Sequence, residues 1–324
     1  MPPGRLAWLG SSWLRIALTA AVFWALSRFV DAGEIVTLGR RASMPWLAAA
    51  VALYAADQAL AVYKWQLLLA GLGLRAPFWS LFRTATSGAF VAFFVPSALS
   101  ADLYKGLATA RSLGAGARVT SSIVLERLLG IASIVVVGLL CLGWLPRAIA
   151  GLDSAATLGI GAVVLAGGMG CFLHADSILR FVEGRLPRRF AALASRLEEL
   201  ARAFGSYRQQ RAILVATFLL SIAIQLARSA AAFFVACAVG DTTPFWAFVV
   251  FVPYVYLVNL LPFATSRFGL EQGAFVVLFA TVGMPADVAM TVSLLSVLAS
   301  LVVALPGGLW LVADRAALRH RLRP

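Results

Sequence analysis

The fold class that this sequence predicts is all-α: a polytopic membrane helix bundle of about six full spans plus two re-entrant helical hairpins forming an inverted pseudo-repeat. Three observations carry that expectation. The 324 residues are 61% hydrophobic and 13% charged, with a mean hydropathy of +0.90, whereas a soluble chain has about 25% charged residues. The charges are bunched, which leaves several stretches of roughly 17–25 apolar residues, long enough to cross ~30 Å of hydrocarbon. Strict apolar/polar alternation is absent, which removes a β-barrel and leaves helices.

Taken in chain order, full spans are expected at 14–30, 44–63, 119–145, 154–174, 212–237 and 288–313. Arg5 and Arg15 precede the first, as in a signal peptide. No clean small-residue cleavage pattern follows, so an uncleaved span is expected. Two regions do not read as simple spans. Residues 79–113 run apolar to Pro96, then turn polar through Ser97, Ser100, Asp102 and Lys105. Residues 245–283 run apolar to Pro262, then through Thr265, Ser266, Arg267 and Glu271. In both, a proline breaks the helix near bilayer depth, and charges that lipid would not tolerate follow.

Basic residues decide the expected topology. If both regions are hairpins that enter and leave on one side, the termini and segments 64–83, 111–118 and 175–211 share a face. Apart from four deep cations, that face carries 19 basic residues and the other four, Arg28, Arg40, Arg41 and Arg147. Such a bias assigns it to the cytoplasm. The expected location is therefore the inner membrane of a bacterium, with both termini cytoplasmic. The hairpins then enter from opposite sides, so 79–145 and 245–313 read as candidate inverted repeats within a single integral membrane domain, 1–324. Segment 175–211 places Phe190, Leu193, Ala194, Leu197, Leu200, Ala201 and Phe204 on one helical face. Its remainder is arginine-rich, which suits a helix lying on an anionic membrane surface.

The net charge is +13, and all but two of the 27 basic residues are arginine. Their place in short loops favours anionic headgroups over nucleic acid as the partner. Cys141, Cys171 and Cys237 lie in apolar segments without CxxC pairing, so neither a disulfide nor a metal site is expected. His174 and His320 lack the partners of a catalytic or metal-binding histidine. No GxxxxGK[ST] motif occurs, which argues against an ATP-driven pump. No cofactor is expected.

Charges inside the membrane carry the functional information, because each costs roughly 2.5–3.5 kcal/mol at a helix centre without a partner or a wet cavity. The candidates for substrate binding are Asp102, Lys105, Glu126, Arg127, Arg228, Arg267 and Glu271, with Asp57, Gln225 and Asn259 nearby in character. Asp102 and Lys105 are three apart, and Arg267 and Glu271 four apart, so each pair can share a helical face. Each pair is either a structural ion pair or part of a substrate site. Arg228, deep in its span, needs either an acid (Glu126 or Glu271) or a lipid phosphate, which a guanidinium fork fits well. Tyr63-Lys64-Trp65 reads as an interfacial anchor, an amphipathic ring beside a snorkelling amine.

These residues also carry a resemblance. Pro96-x5-Asp102-x2-Lys105, Leu113-Gly114 and Ser121-x4-Glu126-Arg127-x2-Gly130 resemble the lysylphosphatidylglycerol synthase transmembrane-region family, which includes the flippase half of the bacterial multiple peptide resistance factor. Tyr63-Lys64-Trp65-x2-Leu68-Leu69 looks like its RW..LL element, and Pro262 to Gly273, with Gly269 and Glu271, is similar to its late GGLG.RE element. Lysine stands for the usual arginine at Lys64 and Lys105, glutamate for aspartate at Glu126, and Ala264, Thr265 and Ser266 replace glycines. The resemblance implies a shared architecture and a lipid substrate. The aminoacyl-transferase domain of the two-part enzymes is absent from the sequence, so lysyl-lipid synthesis is not expected.

The resulting expectation is a transporter rather than an enzyme: a flippase or scramblase for a phospholipid or a polyprenyl-phosphate lipid, compatible with a homo-oligomer. Lys105, Arg228 and Arg267 would meet phosphate, while Asp102, Glu126 and Glu271 balance charge. Two alternatives stand beside it: a membrane glycosyltransferase or other lipid-modifying transferase, and a non-catalytic partner of a lipid-synthesis complex.

Overall fold

The computed structural model describes residues 31–95, 99–141, 209–258 and 269–321, together with a few positions between 167 and 207, among them 198, 199 and 202–207. All regular structure among the described residues is helical. In chain order the helices are α1 (Ala32–Arg41), α2 (Met44–Gly71), α3 (Phe78–Phe94), α4 (Ser100–Leu113), α5 (Gly116–Cys141), α6 (Arg211–Ala238), α7 (Phe245–Val258), α8 (Leu270–Ala280) and α9 (Ala286–Arg321).

Four of these are long and apolar enough to cross a membrane: α2, α5 over Gly116–Val137, α6, and α9 over Ala286–Ala313. A 28-residue helix such as α2 runs about 42 Å at 1.5 Å per residue, more than the hydrocarbon requires. They match the spans expected at 44–63, 119–145, 212–237 and 288–313. The spans expected at 14–30 and 154–174 lie outside the described residues, apart from isolated positions in the second.

In each proline region the structure describes a helix on either side of the proline. α3 and α4 flank Pro96, and α7 and α8 flank Pro262. Residues 96–98 and 259–268, where the proline breaks are expected, lie outside the described residues. α8 opens at Gly269, whose φ of 102° lies where a side chain is strained. Its backbone N–H donates to Gln272 Oε1 at 2.5 Å, so the glycine of the late motif has a local reason. Pro253 and Pro306 sit inside α7 and α9 without ending them, as membrane helices tolerate.

Residues 31–43, expected as a loop, contain α1. The Asp31 side chain accepts from Gly33 N–H at 2.7 Å, and the Asp31 N–H donates to Asp287 Oδ1 at 2.7 Å, tying α1 to the first turn of α9. The helix is only ten residues long, too short for an apolar-run reading to detect.

The chain divides into two compact units. The first comprises Met1–Ala56, Ala89–Ala101 and Ala227–Pro324. There α7 and α8 are joined through aromatic rings: Phe248 and Phe251 lie 4.8 and 5.4 Å from Phe279, which stacks on Phe275 at 4.2 Å. Tyr54, Ala231 and Ala299 form a smaller cluster.

The second unit comprises Asp57–Gly88 and Asp102–Leu226. Its core packs Trp65, Leu68 and Leu69 of α2 and Leu72 just after it with Val119, Ile123 and Leu125 of α5 and with Ala203, Phe204 and Tyr207. This corrects part of the reading of 175–211. Phe204, on the expected membrane-facing stripe, is buried in protein instead. The Tyr207 hydroxyl donates to the Leu68 carbonyl at 2.7 Å, Gln210 Nε2 to that of Gly71, and Arg118 Nη1 to that of Leu72 at 3.4 Å. The last carbonyls of a helix have no partner within it. Here three side chains from other segments supply one. Burial pushes the Tyr207 hydroxyl above the usual phenol range.

Candidate functional site

The second unit also gathers most of the deep charges. α2 contributes Lys64 and Trp65, one turn before Leu68 and Leu69, so all four share the inward face while Tyr63 points outward. α4 contributes Asp102 and Lys105, on one face by their three-residue spacing. α5 contributes Ser122, then Glu126 a turn further, and Arg127 beside it. A Cβ built at Gly106 would meet Ile123 Cδ1 at 3.0 Å; the missing side chain lets α4 lie close to α5.

The charges form an alternating chain. Lys64 Nζ lies 4.0 Å from Glu126 Oε1. Glu126 Oε2 accepts from Lys105 Nζ at 2.6 Å. Lys105 Nζ is 3.3 Å from Asp102 Oδ1, and Asp102 Oδ2 accepts from Arg127 Nε. Each carboxylate therefore lies between two cations. The network is enclosed at one end and opens at the other: side-chain exposure is 7% at Lys64, 12% at Lys105 and 14% at Glu126, but 19% at Asp102 and 31% at Arg127. Lys64 Nζ also lies 3.3 Å from Ser221 Oγ on α6. Trp65 forms a wall, its ring 4.9 Å from Lys105 Nζ and its indole N–H donating to Ser122 Oγ at 3.0 Å. Desolvating these groups is costly, and the mutual pairing offsets that cost.

Of the candidates from sequence, Asp102, Lys105, Glu126 and Arg127 are thus brought together. Arg228, in the first unit, holds its guanidinium 5.1 Å from the Tyr256 ring, a cation–π geometry. Of the two acids weighed as its partners, Glu126 is engaged by Lys105 and Lys64. Glu271 is buried at the start of α8, in the first unit. Arg267 lies outside the described residues, so its pairing with Glu271 does too. Asp57 is buried on α2.

Lys64 and Trp65 correct the sequence reading. An interfacial anchor would snorkel, yet both residues are buried. Successive residues on a helix point about 100° apart, so Tyr63 can face outward while the next two face in. A signal was available: the chain has two lysines among 27 basic residues, and both are in this network. Ser221 was missed because a single serine in an apolar span carries no pattern.

Among the described residues, no group of His, Cys, Asp and Glu could hold a metal ion. The arrangement sets three cations close together with carboxylates as their acceptors. A family model described as the lysylphosphatidylglycerol synthase TM region matches residues 12–308. No curated protein matches the chain.

Proposed function

From the premise that this chain belongs to the lysylphosphatidylglycerol synthase TM-region family, a family of membrane proteins acting on lipids, we propose that it is a lipid translocase, a flippase or scramblase carrying a phosphate-bearing lipid between leaflets. The activity is transport rather than catalysis. The observation that supports the reading is the charge chain Lys64–Glu126–Lys105–Asp102–Arg127.

A lipid phosphate crossing hydrocarbon alone faces a large desolvation cost. Here it meets Lys105, and Glu126 or Asp102 gives way as the phosphate arrives. Every cation keeps an anionic neighbour throughout, so the exchange avoids the cost of a bare buried charge. Tails stay in the bilayer, since nothing in the chemistry of the network requires them. Phospholipids and polyprenyl-phosphate lipids share the phosphate that such a site reads.

The test is reconstitution. The purified chain in phosphatidylglycerol/phosphatidylcholine vesicles, carrying a trace of fluorescent phosphatidylglycerol, is challenged with an impermeant quencher. Translocation exposes the inner-leaflet probe, so more than the outer half of the signal is lost. Loss of about half only, identical to protein-free vesicles with the protein folded, would overturn the reading.

A further inference from the structure

The three helices that hold the charge network lead, at one end, to a cavity in the same unit. Its volume is about 1000 Å³, and its walls include Gly71, Arg118, Glu199, Arg202, Ser206 and Gln209. Gly71 follows Lys64 by seven residues on α2, and Arg118 precedes Glu126 by eight on α5. At 1.5 Å per residue these are about 10 and 12 Å of helix. Gly114 and Ala115, directly after α4, belong to the wall as well. Pockets of roughly 300–1,000 Å³ hold small-molecule ligands, so a lipid headgroup fits.

The polar groups are those that a phosphodiester headgroup needs. Arg118 is held by its bond to the Leu72 carbonyl, and among the described residues the remaining donors of its fork are left for an anion. Arg202 pairs with Glu198 at 3.9 Å, both largely exposed. Such an i,i+4 surface pair is weak and yields to a phosphate. Gln209 adds a neutral donor, while the Ser206 hydroxyl donates to the Arg202 carbonyl at 3.1 Å and leaves its oxygen as an acceptor. Glu199 adds an acceptor for the hydroxyl or ammonium group that headgroups carry beside the phosphate.

We propose that this cavity is the loading site of the translocase, where Arg118 and Arg202 first hold a phosphodiester headgroup before it passes along α2, α4 and α5 to the buried network. The loading role rests on the translocase reading; the binding site does not. Its chemistry is shared by a lipid headgroup and by free phosphate, so the test separates the two.

Binding of dioctanoyl-phosphatidylglycerol and of inorganic phosphate to the purified full chain is measured by titration calorimetry in detergent. The short-chain lipid is expected to bind. Arg118→Gln with Arg202→Gln weakens it by about tenfold or more, the loss of charge-assisted hydrogen bonds, with the protein still folded and at most a small fall in melting temperature from the lost bond to the Leu72 carbonyl. Both single variants show part of the loss, which keeps the test decisive if the double variant does not fold. Arg118→Lys with Arg202→Lys recovers part of the affinity. Undiminished affinity in the double variant overturns the site. Equal binding of inorganic phosphate and lipid makes it a free-phosphate site and overturns the loading role. An Arg-dependent lipid affinity in a chain that moves no lipid in vesicles supports the site and strikes only the translocase reading.

Discussion

Asp102 stands between Lys105 and Arg127, and its removal sets two cations side by side in a partly buried place. Asp102→Ala is therefore expected to destabilise the protein, by less than the loss of about 3–5 kcal/mol for a fully buried pair broken from one side, because Asp102 and Arg127 keep some exposure to solvent. Adding Arg127→Met should restore a good part of that loss. Denaturant unfolding of the two variants in detergent checks the pair; an equal loss in both would show that Arg127 is not the coupled partner. Tyr207 makes a different prediction. Its hydroxyl is buried and donates to the Leu68 carbonyl, so its folded pKa is raised above the unfolded value near 10. Between those values the unfolded chain has lost the proton while the folded chain keeps it, so stability is full below about pH 10 and falls as pH rises further. Melting curves at pH 8 and pH 11 should show that fall in the wild type and a smaller one in Tyr207→Phe. The latter is expected to lose about 1 kcal/mol at neutral pH for the missing hydrogen bond.

At the scale of elements, the close pair of α4 and α5 is what sets Lys105 against Glu126. Gly106 permits it, because the space its side chain would take belongs to Ile123. Gly106→Leu should push α4 outward and lengthen the Lys105–Glu126 contact without changing a charge. Transport in vesicles is expected to drop by about tenfold, with folded protein retained and recovery in Gly106→Leu/Ile123→Ala. Overpacking of this kind costs typically about 1–3 kcal/mol, too little to explain a loss through unfolding. Full transport in Gly106→Leu would mean that the α4–α5 spacing does not matter to the site. In the first unit the corresponding fit is Gly308 under the Phe90 ring, whose Cζ a Cβ would approach to 2.7 Å. There Gly308→Leu must displace the ring, and Phe90→Ala should relieve the strain; thermal melts of the three proteins check it.

At the scale of the molecule, the arginine-rich loops make a topological prediction. On a background with Cys141, Cys171 and Cys237 replaced by alanine, Gly39→Cys should react with an impermeant maleimide added to intact cells. Arg196→Cys should react only after the membrane is opened. Reaction of Arg196→Cys in intact cells would place segment 175–211 outside and undo the hairpin topology. Removing basic residues from 111–118 should weaken that bias, since short basic loops set orientation.

What the sequence determined alone is the class of environment and the residues that need a partner within it. Hydropathy is a sum over local residues, so α2, α5, α6 and α9 were legible as spans from a few neighbours each. The cost of charge in lipid singled out Asp102, Lys105, Glu126 and Arg127 in the same local way. Tertiary structure decided who pairs with whom. Lys105 and Glu126 are 21 residues apart and Lys64 and Glu126 further still, and no spacing rule reaches across helices. It also decided which side of α2 faces inward: hydropathy alone does not say whether Lys64 and Trp65 meet lipid or protein, because both surroundings accept an amphipathic side chain. The capping of α2 by Tyr207, Gln210 and Arg118 belongs to the same kind, since an orphan carbonyl is satisfied by whatever segment the fold brings within reach. Periodicity sees one helix at a time, and this site exists only where several meet.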